Sequence, residues 1–216
     1  MSLIVESKGS SFKPVPAGMH LGRCYRIVDI GTQKTEFKGQ VKMLHKVMLG
    51  WELFGEDELG DKLVMDDGKP LSLHKSYTMS WADKATLRIH LQAWRGKPFT
   101  PEEMRRFDLK NILGAYCMLN VIQEPGQDGS LYSKITSISP VPRQIKELGL
   151  PTAVNKNQLF NIAEPDMELF ASLSENTKMK IQQSPEWQKT HGPAPKTPER
   201  KHEAPTMPDL DDDIPF

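Results

Sequence analysis

Cysteine, long apolar runs and secretion signals are scarce or missing in this chain. Its 216 residues contain two cysteines, Cys24 and Cys117, which are far apart. So few thiols exclude a disulfide framework, and we expect both to be reduced core residues of a cytosolic protein. No segment approaches the ~20 apolar residues of a membrane-spanning helix, and the opening "MSLIVESKGS" has no apolar signal-peptide region. The sequence therefore predicts a cytoplasmic protein without a membrane segment.

An excess of one charge is also missing. The chain has 28 Lys+Arg and 28 Asp+Glu. Residues 1–142 carry 19 basic and 16 acidic residues, and residues 143–216 carry 9 and 12. Because these imbalances are small, they exclude a histone-like polycation, and any nucleic-acid site must be a local cluster of cations.

Enzyme signatures are absent as well. The sequence has no GxxxxGK[ST], HExxH or GxSxG motif, and no CxxC accompanies its six histidines, which lack the spacing of metal ligands. We predict no catalytic activity, no cofactor and no metal site. A nuclease whose acidic metal ligands are scattered along the chain is an open alternative.

What the sequence does have is a series of β-type segments separated by turns. In "VKMLHKVMLGWELF" (41–54), apolar side chains alternate onto one face: Val41, Met43, Val47, Leu49, Trp51 and Leu53. We expect Trp51 to be a core residue. Connectors such as "EPGQDG" carry strong turn signals. The pattern predicts five strands, at residues 18–30, 41–54, 71–81, 111–123 and 130–142.

The period becomes helical between the third and fourth strands. In "SWADKATLRIHLQAWRG", four apolar residues recur at helical spacing: Ala82, Leu87, Leu91 and Trp94. Ser80 is a plausible N-cap and Gly96 a stop signal, and a second, short helix is predicted from Thr100. This element order is that of the OB-fold. We therefore predict a mainly β fold, a five-stranded OB-fold Greek-key barrel over residues 18–142, with a helix between strands 3 and 4.

The flanking segments differ in composition from the predicted barrel. Residues 1–17 are expected to be a flexible N-terminal arm. Residues 143–183 are predicted to be a linker containing one amphipathic helix, which either packs on the barrel or docks a partner. Residues 184–207, rich in proline and charge, predict a disordered linker, and residues 208–216 an acidic tip. The C-terminal tail is thus predicted to be partly helical and mostly disordered.

Lysines and tyrosines on the predicted strands are the candidates for a nucleic-acid site. Cations that follow phosphates and rings that stack on bases are how OB-folds bind single strands. Lysines recur every four residues from the first connector into strand 2, and two aromatic-plus-base pairs lie on strands 3 and 5. The alternatives are a solvated outer face for the lysines and core positions for the tyrosines. The predicted DNA-binding residues are Lys34, Lys38, Lys42, Lys46, Lys75, Tyr77, Tyr132 and Lys134.

The stretch "PDLDDDIPF" combines four acids with a buriable aromatic residue, a composition that indicates binding to another molecule. Its last six residues resemble the C-terminal tip of bacterial single-stranded DNA-binding protein (SSB). The resemblance implies a partner-binding segment, in which the aromatic side chain enters an apolar pocket and the aspartates meet a basic rim. The positions that carry over are Asp211, Asp212, Asp213, Ile214, Pro215 and Phe216.

The predicted barrel resembles a different group, bacteriophage-encoded OB-fold single-stranded DNA-binding proteins. The residues that carry this resemblance are "HKSYTMSWADKATLRIHLQAWRGKPFT" (74–100), "FDLKNILGAYCMLNV" (107–121) and "YSKITSISPVP" (132–142). It implies a protein that coats single-stranded DNA in replication, recombination and repair, located in the host cytoplasm if it is phage-encoded. The implied partners are single-stranded DNA and the replication and repair proteins that recognise the tip, and homo-oligomer formation is left open.

The expected function is therefore sequence-independent binding of single-stranded DNA, with a steep dependence on salt. Two alternatives stay open: an interaction adaptor that mimics the SSB tip, and a strand-annealing recombination factor. A further hypothesis is that the acidic tail occupies the basic groove when DNA is absent. In that case, deleting residues 208–216 should strengthen DNA binding at low salt.

Overall fold

A computed structural model describes residues 14–37, 39–57, 59–126 and 129–192 of the chain. The fold is mainly β, as the sequence predicts, with several short helices. Three of the five predicted strands occur close to their predicted bounds. The fourth begins at Tyr116 and not at residue 111, because a 3₁₀ turn takes up the start of the predicted range. The first extends through the connector that was expected to be a turn-rich loop. The strands are β1 Gly18–Phe37, β2 Gln40–Phe54, β3 Ser72–Thr78, β4 Tyr116–Pro125, β5 Leu131–Ser139 and β6 Gln158–Phe160.

The strands form one open sheet in the order β3-β2-β1-β4-β5, with antiparallel pairing along this path. The short strand β6 adds to β1 in parallel, from Arg26 opposite Gln158 to Val28 opposite Phe160. β1 is central because its first six residues pair with β4 while most of its length pairs with β2. Register shifts at Cys24/Arg26 and Asp29/Gly31 interrupt this long strand, and such bulges bend and twist a sheet.

The main hydrophobic core lies on one side of this sheet. Val47, Leu49, Trp51 and Leu53 of β2 are buried in it, and Trp51 is fully inaccessible, which confirms its predicted core position. Val41 and Met43, predicted on the same face, are instead 52% and 54% exposed. They share the face, but the end of the β1–β2 hairpin extends past the core and leaves them uncovered.

Both cysteines are core residues, as the sequence predicts. Cys24 and Cys117 are free and fully buried in the main core. Burial raises the pKa of the Cys24 thiol to about 12, and burial likewise raises the pKa of Cys117 well above its ordinary range. Both thiols are therefore protonated at neutral pH and behave as small apolar side chains.

The predicted helix between β3 and β4 is present but begins later than expected. α1 spans Thr86–Arg95 and ends at Gly96, which has the left-handed φ of +73° that favours glycine. Ser80 caps a tight turn instead, since its hydroxyl accepts a hydrogen bond from the Ala82 amide at 3.2 Å. α1 covers the main core with Leu87, Leu91 and Trp94, and Phe99 is buried beside it.

Two short helical segments and a third helix follow α1. α2 spans Pro101–Arg106 and begins at a capping box between Thr100 and Glu103, a start that the sequence predicts. A single 3₁₀ turn, Leu109–Ile112, leads into β4, and α3 spans Arg143–Glu147 after β5. None of the helices in the described ranges is both long and apolar enough to cross a membrane.

The C-terminal part of the described chain forms a second hydrophobic core on the other side of β1. The single helix predicted here is three helices: α4 Met167–Ser172, α5 Glu175–Gln183 and α6 Pro185–His191. The breaks fall at Leu173 and Ser184, which have extended backbones, and Ser174 and Ser184 each cap the helix that follows. Pro185 also disfavours a helical conformation at Ser184. Of the two alternatives for this segment, packing on the sheet is the one observed.

The prediction of a disordered linker from residue 184 is wrong for residues 184–191. Trp187 of α6 is buried and stacks on Phe170 of α4 with ring centroids 4.7 Å apart. The second core consists of Val28, Ile30, Phe160, Ile162, Phe170, Leu173, Ile181 and Trp187. The proline and charge content predicted disorder here, whereas the burial of one aromatic residue, Trp187, holds this short polar helix in place. Residues 193–207 lie outside the described residues.

The end of the predicted N-terminal arm is also packed on the sheet. Val15 is almost completely buried, and its carbonyl oxygen accepts hydrogen bonds from Gln123 Nε2 at 3.0 Å and Ser133 Oγ at 2.7 Å. These contacts tie residues before β1 to β4 and β5. The flexible arm was predicted over residues 1–17, of which residues 1–13 lie outside the described residues.

Candidate nucleic-acid interface

The free end of the β1–β2 hairpin carries two of the predicted lysines, Lys34 and Lys42, both exposed. In the register, Lys34 lies opposite Met43 and Thr35 lies opposite Lys42. Opposed residues of an antiparallel pair share a face, and neighbours along a strand alternate. Lys34 and Lys42 therefore lie on opposite faces of the hairpin, so they do not form one row. The predicted Lys38 falls outside the described residues.

Lys46 does not continue the row either, because it is only 3% exposed. It lies opposite Gly31, where the C-terminal segment presses against the sheet. A Cβ atom at Gly31 would lie 2.5 Å from the Ser184 Cβ and 2.8 Å from the Ile162 Cδ1. The prediction of Lys46 as a DNA contact is thus wrong in this structure, since residues more than 100 positions later cover its part of the sheet.

Tyr77 is a core residue, so the prediction that its ring stacks on a base is wrong. The side chain is 1% exposed, and its hydroxyl lies 2.9 Å from the His90 Nδ1 of α1. Lys75, on the same face of β3, is half-buried; its Nζ lies 3.4 Å from the Ile135 carbonyl oxygen and 5.9 Å from the centre of the Tyr77 ring. Lys75 therefore links β3 to β5 across the open side of the sheet.

The aromatic-plus-base pair of β5 is partly accessible. Tyr132 and Lys134 are both half-buried and lie opposite Glu124 and Ile122 of β4. The Lys134 Nζ lies 3.5 Å from the Glu124 Oε1. This carboxylate offsets part of the lysine charge, so the β4–β5 hairpin offers one ring and one partly neutralised cation.

The sequence analysis did not predict a cluster of side chains on the outer face of β1–β2–β3, which is the face opposite the main core. Arg26, Gly50 and His74 lie side by side on three strands. The Arg26 guanidinium carbon is 5.2 Å from the centre of the Tyr25 ring, and the Tyr25 hydroxyl is 3.4 Å from the His74 Nε2. The arginines and tyrosine of "RCYRI" (23–27) could have indicated this cluster from the sequence. The position of His74 beside them depends on the register of the strands.

Gly50 is what permits this close arrangement. A Cβ atom at position 50 would lie 2.6 Å from the His74 Cδ2 and 3.2 Å from the Arg26 Cβ. Glycine therefore lets the exposed His74 ring lie across β2 beside Arg26. The resulting outer-face cluster consists of Tyr25, Arg26 and His74. Tyr25 is only 5% exposed, so the accessible groups are the Arg26 cation and the His74 ring.

A buried ion pair fixes one side of the cluster. The Arg23 Nη1 lies 2.7 Å from the Glu52 Oε1, and both side chains are almost fully buried. The Asn155 amide and side-chain nitrogens each donate to the Glu52 Oε2 at 2.8 Å, and Arg23 also donates to Asn157. Next along this segment, Gln158 accepts from the Arg26 Nε at 2.5 Å. Residues 155–158 are thus held against the sheet and orient Arg26.

A second polar cluster holds α6 at the base of the β1–β2 hairpin. His45 Nε2 lies 2.8 Å from the Asp29 Oδ1, and its Nδ1 lies 3.6 Å from the Glu186 Oε1. Glu186 also accepts hydrogen bonds from the Thr32 amide at 3.0 Å and from the Thr32 hydroxyl at 2.5 Å. The hydrogen bond to Asp29, with a smaller contribution from the nearby Glu186 carboxylate, raises the pKa of His45. The docking of α6 is therefore coupled to the charge of His45.

Within the ranges that the structure describes, no three or more His, Cys, Asp or Glu side chains are grouped so that they could hold a metal ion. The chain matches no protein-family model and no curated protein. The predicted partner-binding positions Asp211, Asp212, Asp213, Ile214, Pro215 and Phe216 lie outside the described residues.

Proposed function

We propose that this chain is a single-stranded DNA-binding protein built on an OB-type barrel. The observation that supports this most directly is the strand order β3-β2-β1-β4-β5 with α1 between β3 and β4. This connectivity is that of a five-stranded Greek-key barrel, in which β3 closes against β5. The 3.4 Å contact between the Lys75 Nζ and the Ile135 carbonyl oxygen brings these two outer strands together.

The proposed binding surface is the uncovered outer face of β2 and β3, with a hairpin on either side. OB-folds bind oligonucleotides on this face and on the loops that flank it. Here the face offers the Arg26 cation and the His74 ring. The β1–β2 hairpin adds Lys42, with Lys34 on its other face, and the β4–β5 hairpin adds Tyr132 and Lys134. Cations contact phosphates, and aromatic rings stack on bases, where stacking contributes ~1–3 kcal/mol per base. Binding of this kind needs no base-specific hydrogen bonds and no catalytic group.

The acidic segment Asp211–Phe216 would serve a separate purpose, which is to recruit replication and repair proteins. Its support is the composition "DDDIPF", in which three aspartates are suited to a basic rim and Ile214 and Phe216 to an apolar pocket. In this proposal the barrel holds the DNA and the segment brings other proteins to it.

Titration of labelled oligo-dT and of duplex DNA at ~50 mM and ~200 mM salt tests the proposal. We expect tight binding to oligo-dT at the lower salt, weaker binding to duplex, and a loss of affinity of ten-fold or more at the higher salt. Arg26→Glu and Lys42→Glu should each weaken binding, whereas Lys110→Glu, an exposed change on the 3₁₀ turn, is the matched control.

Two other outcomes separate the alternatives. Failure of the intact chain to bind oligo-dT at ~50 mM salt would contradict the proposal and leave the protein-interaction adaptor. Acceleration of pairing between complementary strands would identify a strand-annealing factor, whereas binding without annealing would leave a coating protein.

A further inference from the structure

An apolar cavity of about 720 Å³ opens between α1, α2, the 3₁₀ turn and α3. None of its lining residues belongs to the proposed DNA surface. Its walls include Trp94, Phe99, Phe107, Ile112 and Val141. Four of these side chains are buried, and three of the five are aromatic, so the cavity has a largely aromatic floor.

The mouth of the cavity is cationic. Arg106 of α2 and Lys146 of α3 line it and are exposed, and neither has an ion-pair partner among the described residues. Arg95 also lines it, but its charge is matched because it donates to both Glu103 oxygens at 3.0 and 2.7 Å. The Arg95 guanidinium carbon lies 4.2 Å from the centre of the Phe99 ring, which holds it at the edge of the apolar floor.

The remaining carboxylate at the mouth is Glu102. Two unmatched cations against one unmatched anion leave a positive balance above an apolar hollow. Such a site suits a ligand with an aromatic or branched side chain next to several carboxylates. It would not suit a basic ligand, or a polyanion without an apolar part.

The chain itself contains a segment of this chemistry. "DDDIPF" places Ile214 and Phe216 next to three consecutive aspartates. Between His191, where α6 ends, and Asp211, the connecting residues are rich in proline and span up to ~60 Å at ~3.1 Å per residue. A domain of this size is ~40 Å across, so the segment can reach the cavity.

We propose that Asp211–Phe216 docks in this cavity of the same molecule. Ile214 and Phe216 pack against the aromatic floor, and the aspartates face Arg106 and Lys146. A segment held in this way is withdrawn from other proteins, so the domain regulates its own recruitment of partners. This differs from the hypothesis that the tail occupies the DNA groove, because the cavity and the outer-face cluster share no residue.

Site-specific photocrosslinking in the full-length chain tests this placement. p-Benzoylphenylalanine is introduced at Phe216 or, as a control, at Ala204, and crosslinked peptides are mapped by mass spectrometry at ~50 mM salt. We expect position 216 to crosslink within residues 91–116 or 140–146 of the same molecule, which line the cavity, with a yield independent of protein concentration. Crosslinks to the outer face of β1–β3, crosslinks between molecules, or a distribution equal to that from position 204 would each overturn the proposal.

Charge reversal at the mouth provides a second test with a matched control. Arg106→Glu combined with Lys146→Glu should lower the crosslink yield at 216 by at least ~3-fold, since each exposed ion pair is worth a factor of ~2–5. Arg105→Glu changes the adjacent exposed residue of α2, which does not line the cavity, and should leave the yield unchanged. Equal yields in the two variants would contradict the proposal. Neither readout depends on DNA binding, so failure here leaves the proposed DNA function untouched, and the converse also holds.

Discussion

The two hydrophobic cores of this protein use opposite sides of β1 and are assembled differently. The main core joins strands distant in sequence and is covered by α1. The second core is built mostly from residues 160–187, among them Phe160 of β6, and is completed by Val28 and Ile30 of β1, with Met48 of β2 packed against it. By packing there, the C-terminal helices cover part of the outer face. Under the proposed function, single-stranded DNA would bind on the part of this face that the second core leaves open.

The largest effect should come from truncating the main core. Trp51→Ala removes a fully buried side chain packed near Trp94 and should lower the free energy of unfolding by ~3–5 kcal/mol. We expect a urea unfolding curve in which sheet and C-terminal helices are lost together, because both cores depend on β1. A variant whose urea midpoint stays unchanged would contradict the placement of Trp51.

A Trp→Ala change in the second core should lower stability by a comparable amount, but the effect should be confined to the C-terminal helices. Trp187→Ala removes the ring that stacks on Phe170 and should destabilise α4–α6 by about 3 kcal/mol. Hydrogen exchange should accelerate in residues 158–191 while β2 and β4 stay protected. Equal acceleration in both regions would show that the two cores form one cooperative unit.

Removing the buried charge of Glu52 should be nearly as costly. Glu52→Gln leaves the Arg23 guanidinium without its anion in a buried site, at a cost of ~3–5 kcal/mol. The matched control is Asp67→Asn in the exposed pair with Lys69, which should leave the unfolding midpoint unchanged because exposed ion pairs contribute little. Equal effects of the two changes, measured by urea denaturation, would argue against a buried role for Glu52.

A smaller effect should distinguish the two lysines of β2. Lys42→Ala should reduce the slope of log affinity against log salt for oligo-dT by ~0.7, the value for one phosphate contact on a single strand. Lys46→Met should leave this slope unchanged, since Lys46 is buried under the C-terminal segment. Equal loss in both variants, each checked for folding by circular dichroism, would mean that the C-terminal helices leave the sheet when DNA binds.

The smallest effect should be the dependence of the α6 contacts on pH. Because the Asp29 and Glu186 carboxylates raise the pKa of His45, its contribution to stability is fully present below its ordinary pKa of about 6.5 and is lost as the pH rises through the raised value. The difference in urea midpoint between the native chain and His45→Gln should therefore be larger at pH 5.5 than at pH 8.5. The opposite order would exclude a charged His45 in this cluster.

The strands and the main core could largely be predicted from the sequence, because alternation in β2 reports burial directly. The burial of Lys46 could not be predicted, since the residues that cover it lie more than 100 positions later in the chain. The helix break at Ser184 could be predicted because a serine precedes a proline there. The burial of Trp187 could not, because it depends on Phe170, which only the packing of the helices brings near. Likewise, Arg26 and His74 meet only because bulged β1 and β3 both pair with β2 at Gly50, a register that the sequence does not state.

The most direct measurement for the proposed DNA function is a hydrogen-exchange footprint of the full-length chain with and without oligo-dT at ~50 mM salt. We predict slower exchange in residues 24–28, 34–43, 72–79 and 129–134, which are the open outer face and the hairpins on either side of it, with no change in residues 158–191. Protection confined to residues 86–115, or no protection at saturating oligo-dT, would contradict the proposed surface.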